Sequence, residues 1–130
     1  MNEMNLKKEL NERFKNIRFH DDLFSDINDI IKKSGNTASF LKKFMTNLNL
    51  LNEFKDMAPL KKSNIFESLK GSSNLYSMRI KMQANIRILY SIDSNGTILL
   101  YGFYERGGKQ KTNYKNAIPI AQERYKESKK

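Results

Sequence analysis

Arg79, Lys81 and Arg87 occupy alternating positions in two segments whose remaining alternate positions are apolar. Tyr76, Met78, Ile80 and Met82 interleave with Ser77, Arg79 and Lys81, and Ile86, Ile88, Tyr90 and Ile92 interleave with Arg87, Leu89 and Ser91. Successive strand residues point to opposite faces, so a core on the apolar side leaves the three cations on one open sheet face. Antiparallel pairing brings such residues within cross-strand reach. Arginine forks held on rigid strands match the oxygens of a phosphate. The same pattern also fits ordinary solvated strand residues.

A second cluster follows in the run Glu105-Arg106-Gly107-Gly108-Lys109-Gln110-Lys111-Thr112-Asn113-Tyr114-Lys115. It offers four cations, a hydroxyl and a phenol, with two glycines that let backbone approach a ligand closely. Tyr114 either stacks on a base or positions a phosphate, or else it anchors the last helix in the core. Lys61, Lys62 and Lys70 are placed to close the far side of a cleft. Cleaving a phosphodiester requires stabilising charge on pentacoordinate phosphorus and moving protons at the attacking and leaving oxygens. RNA carries its own nucleophile in the 2′-hydroxyl, so arginines, lysines and a tyrosine suffice and no cofactor is expected. The spacing gives no carboxylate-rich metal constellation. Glu105 reads as a salt-bridge partner of a neighbouring cation, with a role as base the alternative, and His20 as a capping or surface residue.

The charge distribution agrees. The formal net charge of the 130 residues is +10. Residues 1–60 hold 10 Lys/Arg against 9 Asp/Glu, a net +1, and residues 61–130 hold 14 against 5, a net +9. Such one-sided fields attract polyanions, nucleic acid first, then an acidic protein or an anionic membrane. There is no cysteine and a single histidine, so disulfides and thiolate metal sites are excluded. No apolar run reaches about 18 residues, which excludes a helical membrane span. The charged N-terminal stretch does not resemble a signal peptide, and a cytoplasmic protein without membrane association is expected.

These residues need elements to hold them. Leu6, Leu10 and Phe14 predict a short surface helix over 4–15, and residues 16–20 an edge strand. Leu23, Phe24, Ile27, Ile30 and Ile31 give a helix capped by Asp21 or Asp22 and ended at Ser34-Gly35. Phe40, Leu41, Phe44, Leu48 and Leu51 stripe a second helix over about 37–55, and residues 56–74 read as a loop. Three strands follow, the last two joined by the turn Asp93-Ser94-Asn95-Gly96 and the last, 97–104, expected to be central. A final helix over 116–127 turns Ile118, Ala121 and Tyr125 inward, its start placed by Pro119 in the first turn. The expected architecture is an α+β domain, with two N-terminal helices covering one face of a twisted antiparallel β-sheet and a C-terminal helix. Residues 1–15 are expected as an N-terminal extension and 16–130 as a single domain.

Several pieces of the chain resemble the RelE/ParE toxin superfamily, closest to its HigB and phage Gp49-like members. They are LKGSSNLYSMRI at 69–80, NIRILYSIDSNGTILLYGFYER at 85–106 and AIPIAQERYKE at 117–127. The resemblance covers roughly residues 16–127, with these pieces in the family's order. The resemblance implies a RelE-like fold and a ribosome-dependent, metal-independent mRNA endoribonuclease, the toxin half of a type II toxin–antitoxin pair. By position, Arg79 and Arg87 fall on the strand arginines that engage the scissile phosphate. Lys70 resembles the loop lysine before the strand, and Arg106, Lys109 and Lys111 the basic stretch after the last strand. Tyr114 is similar to a tyrosine that some members place near the base at the cut.

The resemblance thus implies Arg79, Arg87, Lys109, Lys111 and Tyr114 as catalytic, with Lys61, Lys62, Lys70, Lys81 and Arg106 binding RNA. The implied partners are mRNA on the ribosome and a cognate antitoxin with a helix-turn-helix DNA-binding domain. At 103–113 the chain departs from the Gp49-like pattern, with Glu105 and two glycines in place of paired lysines and no proline, but it stays cationic. Two other functions share these features: a ParE-like inhibitor of DNA gyrase, and a non-catalytic module that binds RNA or an antitoxin.

Overall fold

The computed structural model describes residues 3–54, 65–69, 74–82, 85–105 and 110–129. Nine elements run in the order α1 (Glu3–Arg13), β1 (Ile17–Phe19), α2 (Leu23–Ser34), α3 (Thr37–Glu53), β2 (Phe66–Ser68), β3 (Tyr76–Lys81), β4 (Asn85–Asp93), β5 (Gly96–Glu105) and α4 (Gln110–Ser128). The two central helices form where the 3.6-residue periodicity predicts them. Gly35 ends α2 in the left-handed conformation (φ 68°) and donates its N–H to the Ile31 carbonyl. Asn36 starts α3 by accepting the Ser39 N–H at 3.1 Å. Asp22 makes no side-chain cap to α2. Instead His20 Nδ1 accepts the Asp22 N–H at 3.1 Å, a capping role for the lone histidine.

The five strands lie in the order β1-β5-β4-β3-β2. All pairs are antiparallel except β1 with β5, so the sheet is mixed rather than purely antiparallel. The strand at 97–104 is internal, between β1 and β4, and β4 is the middle strand. Residues 66–68, expected in a loop, add the edge strand β2. Phe66 enters the core and pairs with Met78, which gives this short strand its register.

Both faces of the sheet are covered, where one was expected. On one side α1, α2 and α3 pack Leu10, Ile27, Phe44 and Leu48 against Met78, Ile80, Ile88 and Leu99. The stripe of α1 (Leu6, Leu10, then Phe14) is buried in this same core, so the segment read as an extension contributes to it. On the other side α4 lays Ala117 and Ala121 on Leu89, Ile98 and Leu100. A register shift between Leu89 and Tyr90 lets Leu100 and Tyr101 both turn towards this second core while Leu99 stays in the first.

The last helix begins at Gln110, not near Asn116, and carries Pro119 in its interior. The missing Pro119 N–H removes one bond of the helical ladder. Burial of Ala117 and Ala121 on either side holds the helix across that gap. Among the described residues no helix is long and apolar enough to cross a membrane.

Candidate functional site

Register gathers the polar side chains. Glu67 pairs with Ser77, Arg79 with Arg87 and Arg87 with Phe103. By alternation these residues and Glu105 project from the face that α4 partly covers. From that helix Tyr114 reaches back onto the strands.

Arg87 sits at the centre. Its Nε donates to Glu105 Oε2 at 2.9 Å, and Nη1 donates to Glu67 Oε1 at 3.4 Å. The Arg87 and Glu105 side chains are each 8% exposed, whereas that of Glu67 is 46% exposed. The guanidinium carbon lies 5.8 Å from the centre of the Tyr114 ring. That ring packs edge-on against Phe103, with centroids 5.9 Å apart. The Tyr114 hydroxyl donates to Glu67 Oε1 at 2.8 Å and lies 2.9 Å from Ser77 Oγ. With the phenol's proton directed to the carboxylate, Ser77 is left to donate to the phenol oxygen.

Burial pushes the Tyr114 phenol up to about 12, with the Glu67 carboxylate adding to the rise while Ser77 and Arg87 oppose it. The folded state therefore holds this proton more tightly than the unfolded chain does. The stability it contributes is complete below the ordinary value of 10.0 and is lost as pH rises through about 12. In an alkaline absorbance titration, subtracting the Tyr114→Phe curve from the wild-type curve should isolate one tyrosinate appearing near pH 12. A difference centred on pH 10 would mean that the phenol is not held in this network.

Arg79 is differently placed. Its backbone is fixed, the N–H on the Ile65 carbonyl at 2.7 Å and the carbonyl accepting Asn47 Nδ2 at 3.3 Å. Its partly exposed guanidinium makes no ion pair or hydrogen bond to another described residue. Lys81 is exposed at the end of β3, where its carbonyl accepts from Lys43 Nζ.

The expectation that Arg87 stands on an open face is corrected. Alternation places it on the right face, but Tyr114 from α4 and two carboxylates flank it. Glu105 is its salt-bridge partner, the reading favoured over a free base. Tyr114 anchors the helix while keeping its hydroxyl at the site. Lys111 lies in the first turn of α4. Lys61, Lys62, Lys70, Arg106 and Lys109 lie outside the described residues.

Glu67 is the residue that sequence reasoning missed. Its signal was present in Ile65-Phe66-Glu67-Ser68-Leu69, where apolar and polar residues partly alternate inside a stretch of loop-like composition. Among the described residues no group of three or more His, Asp or Glu side chains is arranged to hold a metal ion.

The geometry defines a small α+β domain with a mixed sheet, carrying a guanidinium–carboxylate–phenol cluster on one face. In comparisons with known proteins the chain matches no family model, no curated protein and no solved structure.

Proposed function

We propose that this chain is a RelE/HigB-type toxin, an endoribonuclease that cuts mRNA on the ribosome and is restrained by a partner antitoxin. The observation that carries this reading is the Glu67–Tyr114 contact at 2.8 Å beside two strand arginines on a half-covered sheet face. A carboxylate and a phenol supply proton transfer, and a guanidinium supplies charge at the phosphate. Arg79 takes the phosphate in this scheme, because its guanidinium is not held by a carboxylate among the described residues. Arg87 is a positioning residue that orients Glu67 and Glu105. Four cations at 106–115 follow β5 in the sequence and add to the net positive charge that draws in a polynucleotide.

One observation favours a second reading, a non-catalytic module that binds RNA or an antitoxin. The charges of Arg79, Arg87, Glu67 and Glu105 sum to zero, so the cluster by itself offers no net attraction for phosphate.

The test is induction in a bacterial host with immediate mapping of mRNA 5′ ends, comparing wild type with Arg79→Ala. New ends within translated codons should appear in the wild type and fall on the order of 100-fold in the variant, the usual effect of removing one charge-stabilising donor. Growth arrest with intact mRNA would move the assignment to gyrase or another protein target.

A further inference from the structure

The cluster carries two proton-transfer groups on a single hydrogen bond. Glu67 Oε1 accepts from both Tyr114 and Arg87, while Oε2 has no partner among the described residues and the side chain is 46% exposed. An incoming hydroxyl can therefore reach a carboxylate oxygen whose orientation is already fixed. The Tyr114 oxygen has Ser77 Oγ at 2.9 Å and the Arg87 guanidinium beside its ring, so a phenolate formed there meets a donor and a positive charge. Base, acid and the path between them lie on three adjoining strands and the helix that roofs them.

We infer that Glu67 and Tyr114 form a closed proton circuit for RNA cleavage, in which Glu67 is the base, Tyr114 the acid, and their shared hydrogen bond restores both. This rests on the reading of the site as a ribonuclease. The 2′-hydroxyl gives its proton to Glu67 Oε2 as the 2′-oxygen bonds to phosphorus. Protonation at Oε2 removes the carboxylate charge and weakens the bond that Oε1 accepts from Tyr114. Tyr114 then swings its own proton to the 5′-oxygen as the P–O5′ bond breaks. The products are a 2′,3′-cyclic phosphate and a 5′-hydroxyl, with no atom or electron unaccounted for. After a turn of the carboxyl group, its proton passes to the phenolate along the 2.8 Å contact, and Glu67 is again ionised. No solvent proton is needed between turnovers.

The proposal is tested by single-turnover cleavage on purified ribosomes programmed with a defined mRNA. Glu67→Gln and Tyr114→Phe should each slow cleavage on the order of 100-fold, the low end for losing a general base or acid. The double variant should be slower than either single one, because base and acid act on different oxygens. In repeated turnovers wild-type cleavage should not depend on buffer concentration, because the shared hydrogen bond returns the proton. A wild-type turnover rate that rises with added buffer would overturn the circuit.

A second mRNA carrying sulfur in place of the 5′-bridging oxygen at the cut site separates the roles. A thiolate leaves without a proton, so Tyr114→Phe should cut this mRNA at the wild-type rate while Glu67→Gln stays slow. Both substrates are read on the same protein preparation, so a loss of folded protein cancels in the ratio. A Tyr114→Phe defect that persists on the sulfur substrate overturns the assignment of Tyr114 as acid and leaves the ribonuclease reading intact. Wild-type protein that cuts neither mRNA removes that reading, and the circuit with it.

Discussion

Arg87→Ala is expected to lower unfolding free energy by about 3–5 kcal/mol, the range for removing one partner of a buried ion pair. The side chains of Arg87 and Glu105 are equally buried, at 8% exposure, and joined at 2.9 Å. Taking away the guanidinium leaves the Glu105 carboxylate without its counter-charge in a site shared with Phe103 and Tyr114. Glu67 loses a partner too, but at 46% exposure it returns to water at little cost. The damage comes from the stranded carboxylate, so it should be reversible. Arg87→Met combined with Glu105→Leu removes both charges and keeps most of the volume, and urea midpoints should return most of the way to wild type. A double variant as unstable as Arg87→Ala would show that the loss came from packing and not from an orphaned charge. Loss of growth arrest in Arg87→Ala reports folding as well as chemistry, which is why Arg79→Ala is the cleaner functional control.

That burial of Arg87 marks how far the sequence could be read. Period-2 alternation correctly placed β3, β4 and β5 and put Arg79 and Arg87 on one face, because alternation depends only on local geometry. Whether that face meets water depends on which element covers it, and the pattern of the cationic residues holds no record of that. A clue did exist in Leu89, Leu100 and Phe103, apolar residues on the face assigned to charge, which are the residues on which α4 rests. The early start of α4 escaped because Gln110 to Asn113 show no apolar period, and Pro119 was a persuasive but misleading start signal. Residues 66–68 escaped because a three-residue strand is fixed by its non-local partner, Met78 opposite Phe66, more than by its own propensity. Net charge also overstated the free field. Of the five carboxylates in residues 61–130, Glu67 and Glu105 lie on Arg87, and Asp93 accepts from Arg18 and Tyr125. The excess of cations is real, but in the described strands its carboxylates sit where the arginines do.

Arg124→Ala is the other large loss expected, about 3 kcal/mol near neutral pH, and it should depend on pH. Strand β1 pairs with β5 only over Thr97–Leu99, so the outer edge of β5 beyond that point needs other partners. Arg124, from α4, donates to the Leu100 carbonyl at 2.9 Å and to the Asp26 carboxylate on α2. Asp26 in turn accepts the Gly102 N–H at 3.1 Å, and Tyr101 lies beneath the guanidinium at 5.0 Å. One ion pair thus clamps the helices of opposite faces around a strand edge that β1 leaves unpaired.

Burial raises the Asp26 carboxyl above its ordinary 3.8, outweighing the lowering by Arg124 and the Gly102 N–H. The folded state therefore binds this proton more tightly than the unfolded chain, and stability falls as pH rises through the window above 3.8. Without Arg124 that window extends upward, because the strongest opposing influence is gone. Urea unfolding at pH 7 and near pH 4 should show a gap between Arg124→Ala and wild type that narrows in acid. Asp26→Asn added to Arg124→Ala should close much of the gap at pH 7, since the amide oxygen still accepts the Gly102 N–H and leaves no charge behind. A gap of equal size at both pH values, unchanged by Asp26→Asn, would mean that the stranded group is the Leu100 carbonyl and not the carboxylate.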